Sequence, residues 1–213
     1  MKKYFLLFII IAMFINANCT TPPPTRINKE SSVIAINIWF PIHSALLTSD
    51  AFIPNKVYFI KIEDNDSLKA KSVITSNYWT ESWNPGPARY TLYLMGAEPG
   101  KYAAVAASGC TLFSKGSVTV FFPKEVINAS IVVVQPNSMI YMGHFYLTTG
   151  KLFNGMKDAD EFQNYYSTLI SKRYSKVFAP EEEKSYNSEE LRKEFIKSKA
   201  DEFKGTEWEE VVK

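Results

Sequence analysis

Between Ser32 and Leu147 the chain keeps the two-residue period of β-strands, and turn formers interrupt it at short intervals. Residues 33–40 read as a strand closed by Pro41, and residues 57–62 as a second, ended by Asp64-Asn65-Asp66-Ser67. Residues 71–76 are a weaker strand. In residues 89–95, Tyr90, Leu92 and Leu94 point one way, with Thr91, Tyr93 and Met95 opposite. Glu98-Pro99-Gly100 is a hairpin turn, because proline presets φ and glycine supplies a positive one. Residues 101–107, 117–122, 129–134 and 139–147 complete the set, and 129–134 is apolar on both faces, like a central strand. Seven or eight short strands without helical periods between them predict a mainly β fold, an antiparallel β-sandwich.

After Gly150 the pattern changes. Residues 151–213 carry 12 basic and 14 acidic side chains, and their apolar residues recur at helical spacing. Phe162, Tyr165, Tyr166, Leu169, Ile170 and Val177 share one face, with Asp158 or Asp160 placed to cap the start. Ala179-Pro180 ends that helix, and the stretch to Tyr186 reads as a break. A second helix is expected from a capping box at Asn187 and Glu190, with Leu191, Phe195 and Phe203 on its apolar face and Gly205 as its stop. Trp208, Val211 and Val212 form a last short turn. Both amphipathic helices should lie against the sandwich of their own chain.

The start of the chain sets its address. Lys2 and Lys3 precede an apolar run from Tyr4 to Ile15, too short for a membrane span and of secretory-leader length. Ile15-Asn16-Ala17-Asn18-Cys19 resembles a bacterial lipobox, in which the cysteine is lipidated and becomes the new N-terminus. Asn18 departs from the usual Gly, Ala or Ser and is similar to the looser lipobox of spirochaete lipoproteins. The alternative is an ordinary cut near Ala17, with Cys19 free or in a disulfide. The lipobox reading implies an exported protein held in the cell envelope by lipid on Cys19, at the outer rather than the inner membrane. Residues 20–32 begin with Pro22-Pro23-Pro24 and read as an extended spacer, at about 3.1 Å per residue.

Charge and motifs narrow the function. The formal net charge of +2 comes from Lys2 and Lys3, so the chain beyond the leader is neutral and nucleic-acid binding gains no support. With Cys19 lipidated, Cys110 is a lone thiol, best read as a small buried residue of the sheet. Gly96-Ala97-Glu98-Pro99-Gly100-Lys101-Tyr102 is one residue short of a phosphate loop and puts Tyr102 where a hydroxyl ligand belongs. Glu63-Asp64-Asn65-Asp66-Ser67 lacks the turn glycine and distal Glu of a calcium loop. His43 and His144 have no second ligand at metal spacing. No catalytic motif, metal site or cofactor is therefore expected. The stretch 77–87 holds Tyr78, Trp79 and Trp83 among turn formers, in what reads as an inter-strand loop. Exposed, these aromatics would stack on sugars or anchor a partner; folded back, they would plug one end of the sandwich.

Two segments resemble those of transthyretin-like (prealbumin-like) domains. Glu98-Pro99-Gly100-Lys101-Tyr102-Ala103-Ala104-Val105 is similar to their Pro-Gly-Xaa-Tyr strand start. The run from Val132 to Phe145, through Gln135-Pro136-Asn137 and Tyr141-Met142-Gly143, is similar to their later turn and strand, with Asn137 where the family has Gly. The resemblance implies a transthyretin-like or Ig-like sandwich within an envelope lipoprotein and transfers no active-site residue. The organisation expected is a leader at 1–18, a lipid-anchored spacer at 19–32, a sandwich at 33–150 and a helical extension at 151–213. The function expected is a structural or interaction module rather than an enzyme. The alternatives are a carbohydrate-binding or adhesive module using Tyr78, Trp79 and Trp83, and an accessory subunit of an envelope complex or enzyme.

Overall fold

The computed structural model describes residues 22–44, 47–63, 65–81, 90–111, 117–149, 159–170, 180–186 and 188–212. Among them the chain forms β1 (Ser32–Ser44), β2 (Leu47–Ile62), β3 (Ile74–Thr75), β4 (Tyr78–Glu81), β5 (Tyr90–Ala97), β6 (Gly100–Thr111) and β7 (Ser117–Phe121). Then follow α1 (Lys124–Ala129), β8 (Val132–Val134), β9 (Met139–Thr149), α2 (Glu161–Ile170), β10 (Pro180–Tyr186), α3 (Glu189–Lys199) and a 3₁₀ turn at Glu209–Val211. The fold is mainly β, with two sheets and a few helices.

One sheet runs β4-β5-β1-β9-β10; the other runs from β1 through β2 and β6 to β7, with β3 on β2 and β8 on β6. β1 belongs to both. Its first half pairs with β5 and β9, and from Phe40 onward it pairs with β2. The pairing of β1 with β9 is parallel, so the arrangement is not the wholly antiparallel one expected. The parallel neighbour is possible because residues 45–138 intervene as a long crossover. β9 carries one extra residue between Tyr141 and His144 opposite Ala35 and Asn37. Gly143, at φ 134°, lies in this bulge, where a side chain would be strained.

β1 explains why both faces of its sheet are covered. Ile34, Ile36 and Ile38 join Leu92, Leu94, Met142 and Phe145 in the core between the sheets, which also takes Phe59, Tyr102, Phe121 and the small residues Ala103 to Ala107. Val33 and Ala35 point the other way and meet Tyr93, Met95, Met139 and Tyr141. That outer face is closed by Phe195 of α3 and by Phe203, Trp208, Val211 and Val212 after it. Tyr141 stacks flat on Phe195 at 3.8 Å between ring centres. A strand apolar on both faces demands a cover on both.

Both C-terminal helices dock on the sandwich. α2 starts with a reciprocal cap: Gln163 N–H donates to Asp160 Oδ1 at 2.7 Å, and Asp160 N–H donates to Gln163 Oε1 at 3.1 Å. Its Tyr166 and Ile170 enter the inter-sheet core, while the Tyr165 and Tyr166 hydroxyls donate to the carbonyls of Ala70 and Leu68. Asp158 and Val177 lie outside the described residues. α3 is capped by Ser188, whose Oγ accepts from Leu191 N–H at 3.2 Å, one residue later than the expected capping box. Asn187 lies outside the described residues.

Three further expectations need correction. Residues 129–134 are not a central strand: Ala129 ends α1, and only Val132–Val134 is strand, on the edge of β6 with Val133 56% exposed. Pro123 stands at the N-cap of α1, which buries Val126 and Ile127, and within 129–134 it is Ser130, Val132 and Val134 that are buried. The break at 180–186 is β10, which pairs with β9 as an edge strand and carries its proline at the first position. Glu98-Pro99-Gly100 is not a hairpin, since β5 and β6 belong to different sheets. Gly96 at φ 88° and Gly100 at φ 149° let the chain turn the corner between them.

Candidate functional site

The stretch around Tyr78 is a strand, and that decides what its aromatics can do. β4 pairs with β5 on the edge of the sheet, Tyr78 opposite Tyr93 and Trp79 opposite Leu92. Successive strand residues face opposite ways, so Tyr78 and Trp79 do not form one surface. Tyr78 turns to the outer face, half-buried, with its ring 5.6 Å from Tyr93 and 6.3 Å from Phe203. Trp79 is 53% exposed and meets Tyr90 edge-on at 4.9 Å. Trp83 lies outside the described residues. Trp79 is therefore exposed beside a half-buried Tyr90, and Tyr90 was legible only as a strand residue.

Behind β4 lies a small polar cluster. Lys199 Nζ donates to Glu202 Oε2 at 2.7 Å and to Thr80 Oγ1 at 3.4 Å, and Thr80 Oγ1 is 3.2 Å from the Tyr93 hydroxyl. Burial, helped by the nearby Glu202 carboxylate, pushes the Tyr93 phenol well above its ordinary range and raises Tyr78 as well. These groups are neutral hydroxyls and one ion pair that fasten the C-terminal segment to β4.

A cleft of about 810 Å³ lies at the end where β2 finishes and β6 starts, lined by Lys61, Glu63, Asp66, Lys71, Gly100 and Lys101 among others. Its charges are mostly matched. Lys61 Nζ is 2.9 Å from Glu98 Oε2, a contact that raises the lysine and lowers the carboxylate, and Lys101 Nζ is 2.5 Å from Asp66 Oδ1. Asn65 Oδ1 accepts from Ser67 N–H at 3.0 Å, making residues 65–67 a self-bonded turn, with Asp66 at φ 54°. Asp64 lies outside the described residues. Among the described residues no three His, Cys, Asp or Glu side chains come together as a metal-binding group.

The remaining candidates are scattered. His144 sits in β9 between Asn37 of β1 and Tyr186 of β10, and burial lowers its imidazole. The side chains of His43 and Cys110 lie outside the described ones, as does all of Cys19.

The feature that sequence reading missed is a strap. The proline-rich segment is docked from Pro24 onward rather than free to residue 32. Trp208 Nε1 donates to Pro24 O at 2.7 Å, and Arg26 N–H donates to Glu207 Oε2 at 2.7 Å. The Arg26 guanidinium lies 5.8 Å from the Trp208 ring and donates to Asn137 Oδ1 at 2.6 Å and to the carbonyls of Lys29 and Ser31. Polyproline backbone leaves its carbonyls unpaired, which is why Pro24 O is available to the indole. Asn137 stands at φ 54°, the left-handed conformation its turn requires. Ser32 Oγ donates to Gln135 O at 2.7 Å and accepts from Ser138 N–H at 3.1 Å, so strap and turn form one fixed surface. Compared with protein-family models, curated proteins and solved structures, the chain matches none of them.

Proposed function

We propose that this chain is a lipid-anchored cell-envelope protein whose transthyretin-like sandwich acts as a binding scaffold without chemistry of its own. The observation that carries the reading is the order of its first residues: a short basic-then-apolar leader with Cys19 at its exit, followed closely by Pro24, whose carbonyl is held by Trp208. Support for the transthyretin-like assignment comes from its two motif segments. Pro99-Gly100 opens β6 at a corner between sheets, and Tyr141-Met142-Gly143 holds the bulge of β9. Lipid on Cys19 would bury acyl chains at about 0.8 kcal/mol per CH₂, and several chains make the anchor firm where one is marginal. Cys19→Ala should shift the protein from the detergent phase to the aqueous phase in a partition assay. Unchanged partitioning of that variant rejects the anchor.

A second reading, carbohydrate or adhesive binding, is favoured by one observation: Trp79 exposes half its surface beside Tyr90 on an edge strand. An indole so placed offers a flat face to a sugar ring. Trp79→Ala should then abolish retention on a glycan array without moving the melting temperature. Equal retention of the variant removes this reading.

A further inference from the structure

The strap fixes how an anchored domain must stand. β1 begins at Ser32 opposite the end of β5 at Ala97, β9 begins beside Val33, and β6 begins at Gly100 opposite Val134. The strap, the Glu98-Pro99 turn and the Gln135–Ser138 turn thus share one end of the sandwich. From Cys19 to Pro24 the chain has five residue steps, which reach at most about 18 Å when fully extended. β6 alone has 12 residues, a strand about 40 Å long. The leash is shorter than the sandwich is tall, so the far end cannot be turned toward the surface that holds Cys19.

The same end carries apolar side chains that the protein leaves uncovered. Ile27 is 80% exposed, although Arg26 beside it is held by Asn137 and Pro24 by Trp208. It lies over the backbone of Gly96, where a side chain would come within 3.4 Å of its Cδ1. Val133, 56% exposed, stands opposite Lys101 at the start of β6. Isolated exposed aliphatics are common on protein surfaces. These two are distinguished by their position at the root of a short leash, on a surface that cannot fold them away.

Resting on the lipid-anchored reading above, we propose that this end is a membrane-contact face, with Ile27 and Val133 set against the lipid headgroup boundary and the β4 edge carried clear of it. The test follows backbone hydrogen exchange in two forms of the mature chain. One has its natural N-terminus in phosphatidylethanolamine–phosphatidylglycerol vesicles. The other replaces residues 1–19 with a histidine tag and is held on phosphatidylcholine vesicles containing nickel-chelating lipid. Amides of 26–30 and 135–138 should exchange about tenfold more slowly than in the vesicle-free chain, with β7 unchanged. Ile27→Asp, at a side chain too exposed to matter for folding, should remove most of that protection in the tagged form. Absence of protection in the tagged form overturns the face, and so does protection that appears without vesicles on raising the protein concentration, which would assign the surface to a second copy. A footprint in the tagged form beside an unmodified Cys19 in the natural one, read by mass spectrometry, overturns the anchor and leaves the face standing.

Discussion

The two apolar clusters of this protein are built from opposite faces of the same strand, yet they differ in origin. The core between the sheets is assembled from strands, α1 and α2, and much of it is aliphatic, with five consecutive small or medium residues, Ala103 to Ala107, along β6. The outer cluster is richer in aromatic rings, and nearly half its members come from the last stretch of the chain: Phe195, Phe203, Trp208, Val211 and Val212. Where two sheets face each other, small side chains suffice because the backbone itself sets the spacing. Where a single helix and an irregular tail must cover a sheet, large rings fill the gap with few residues. The outer cluster is thus a late cover on which the N-terminal strap also depends.

Removing that cover should give the largest effect. A 20–187 fragment exposes Val33, Tyr93, Met95, Met139 and Tyr141, each contributing about 1.5–3 kcal/mol when buried, against a typical domain stability of about 5–15 kcal/mol. The fragment should sediment as aggregate; a monomer melting at the full-length temperature would show the two clusters to be independent. Next come single truncations, one in each cluster. Phe59→Ala and Phe203→Ala should each cost about 3–5 kcal/mol in urea unfolding. Only Phe203→Ala should also speed amide exchange in β4, because its ring touches Tyr78 and Tyr93. Equal exchange in both variants would erase the distinction. Trp208→Phe keeps a ring but loses the donor to Pro24, and should cost about 1 kcal/mol while freeing the strap amides first.

The smallest effect concerns pH. Burial holds His144 below its ordinary value of 6.5, so the unfolded chain takes up this proton before the folded one. Its contribution is whole above pH 6.5 and is lost as the pH falls toward the folded value. Melting temperature should therefore decline by roughly 2 °C more in the native protein than in His144→Asn between neutral and mildly acidic pH. Parallel curves for the two proteins would assign the decline to other groups.

These differences also explain what the sequence could tell. The inter-sheet core was legible in β5, where alternation sets Leu92 and Leu94 on one face, but not in β6, where Ala103 to Ala107 enter it without alternation. Val33 to Ile36 is apolar at every position, as a strand covered on both faces requires, yet the doubly apolar strand is expected from sequence at 129–134 instead, and nothing in these residues names Phe203 or Trp208 as the cover. Tyr78 and Trp79 read as loop because three aromatics stood among turn formers; the partner strand β5, not local propensity, makes them strand. The segment Pro180–Tyr186 opens with proline and three glutamates, a poor strand by composition, and joins the sheet only because β9 offers an edge. Arg26 was invisible as a hub, since its partners Asn137 and Glu207 are distant in sequence.

The parallel pairing of β1 with β9 bears on how the protein reaches this state. Val33 must wait for Met139, and the sheet has no centre until both are present. Closing so long a loop costs entropy before any contact repays it, so assembly should be slow and should run late. Early in synthesis the chain can pair β1 with β2 and then β5 with β1 and β4, while β9 and β10 are still to come. With its two central strands that far apart in sequence, the sheet cannot be completed by an N-terminal part of the chain alone.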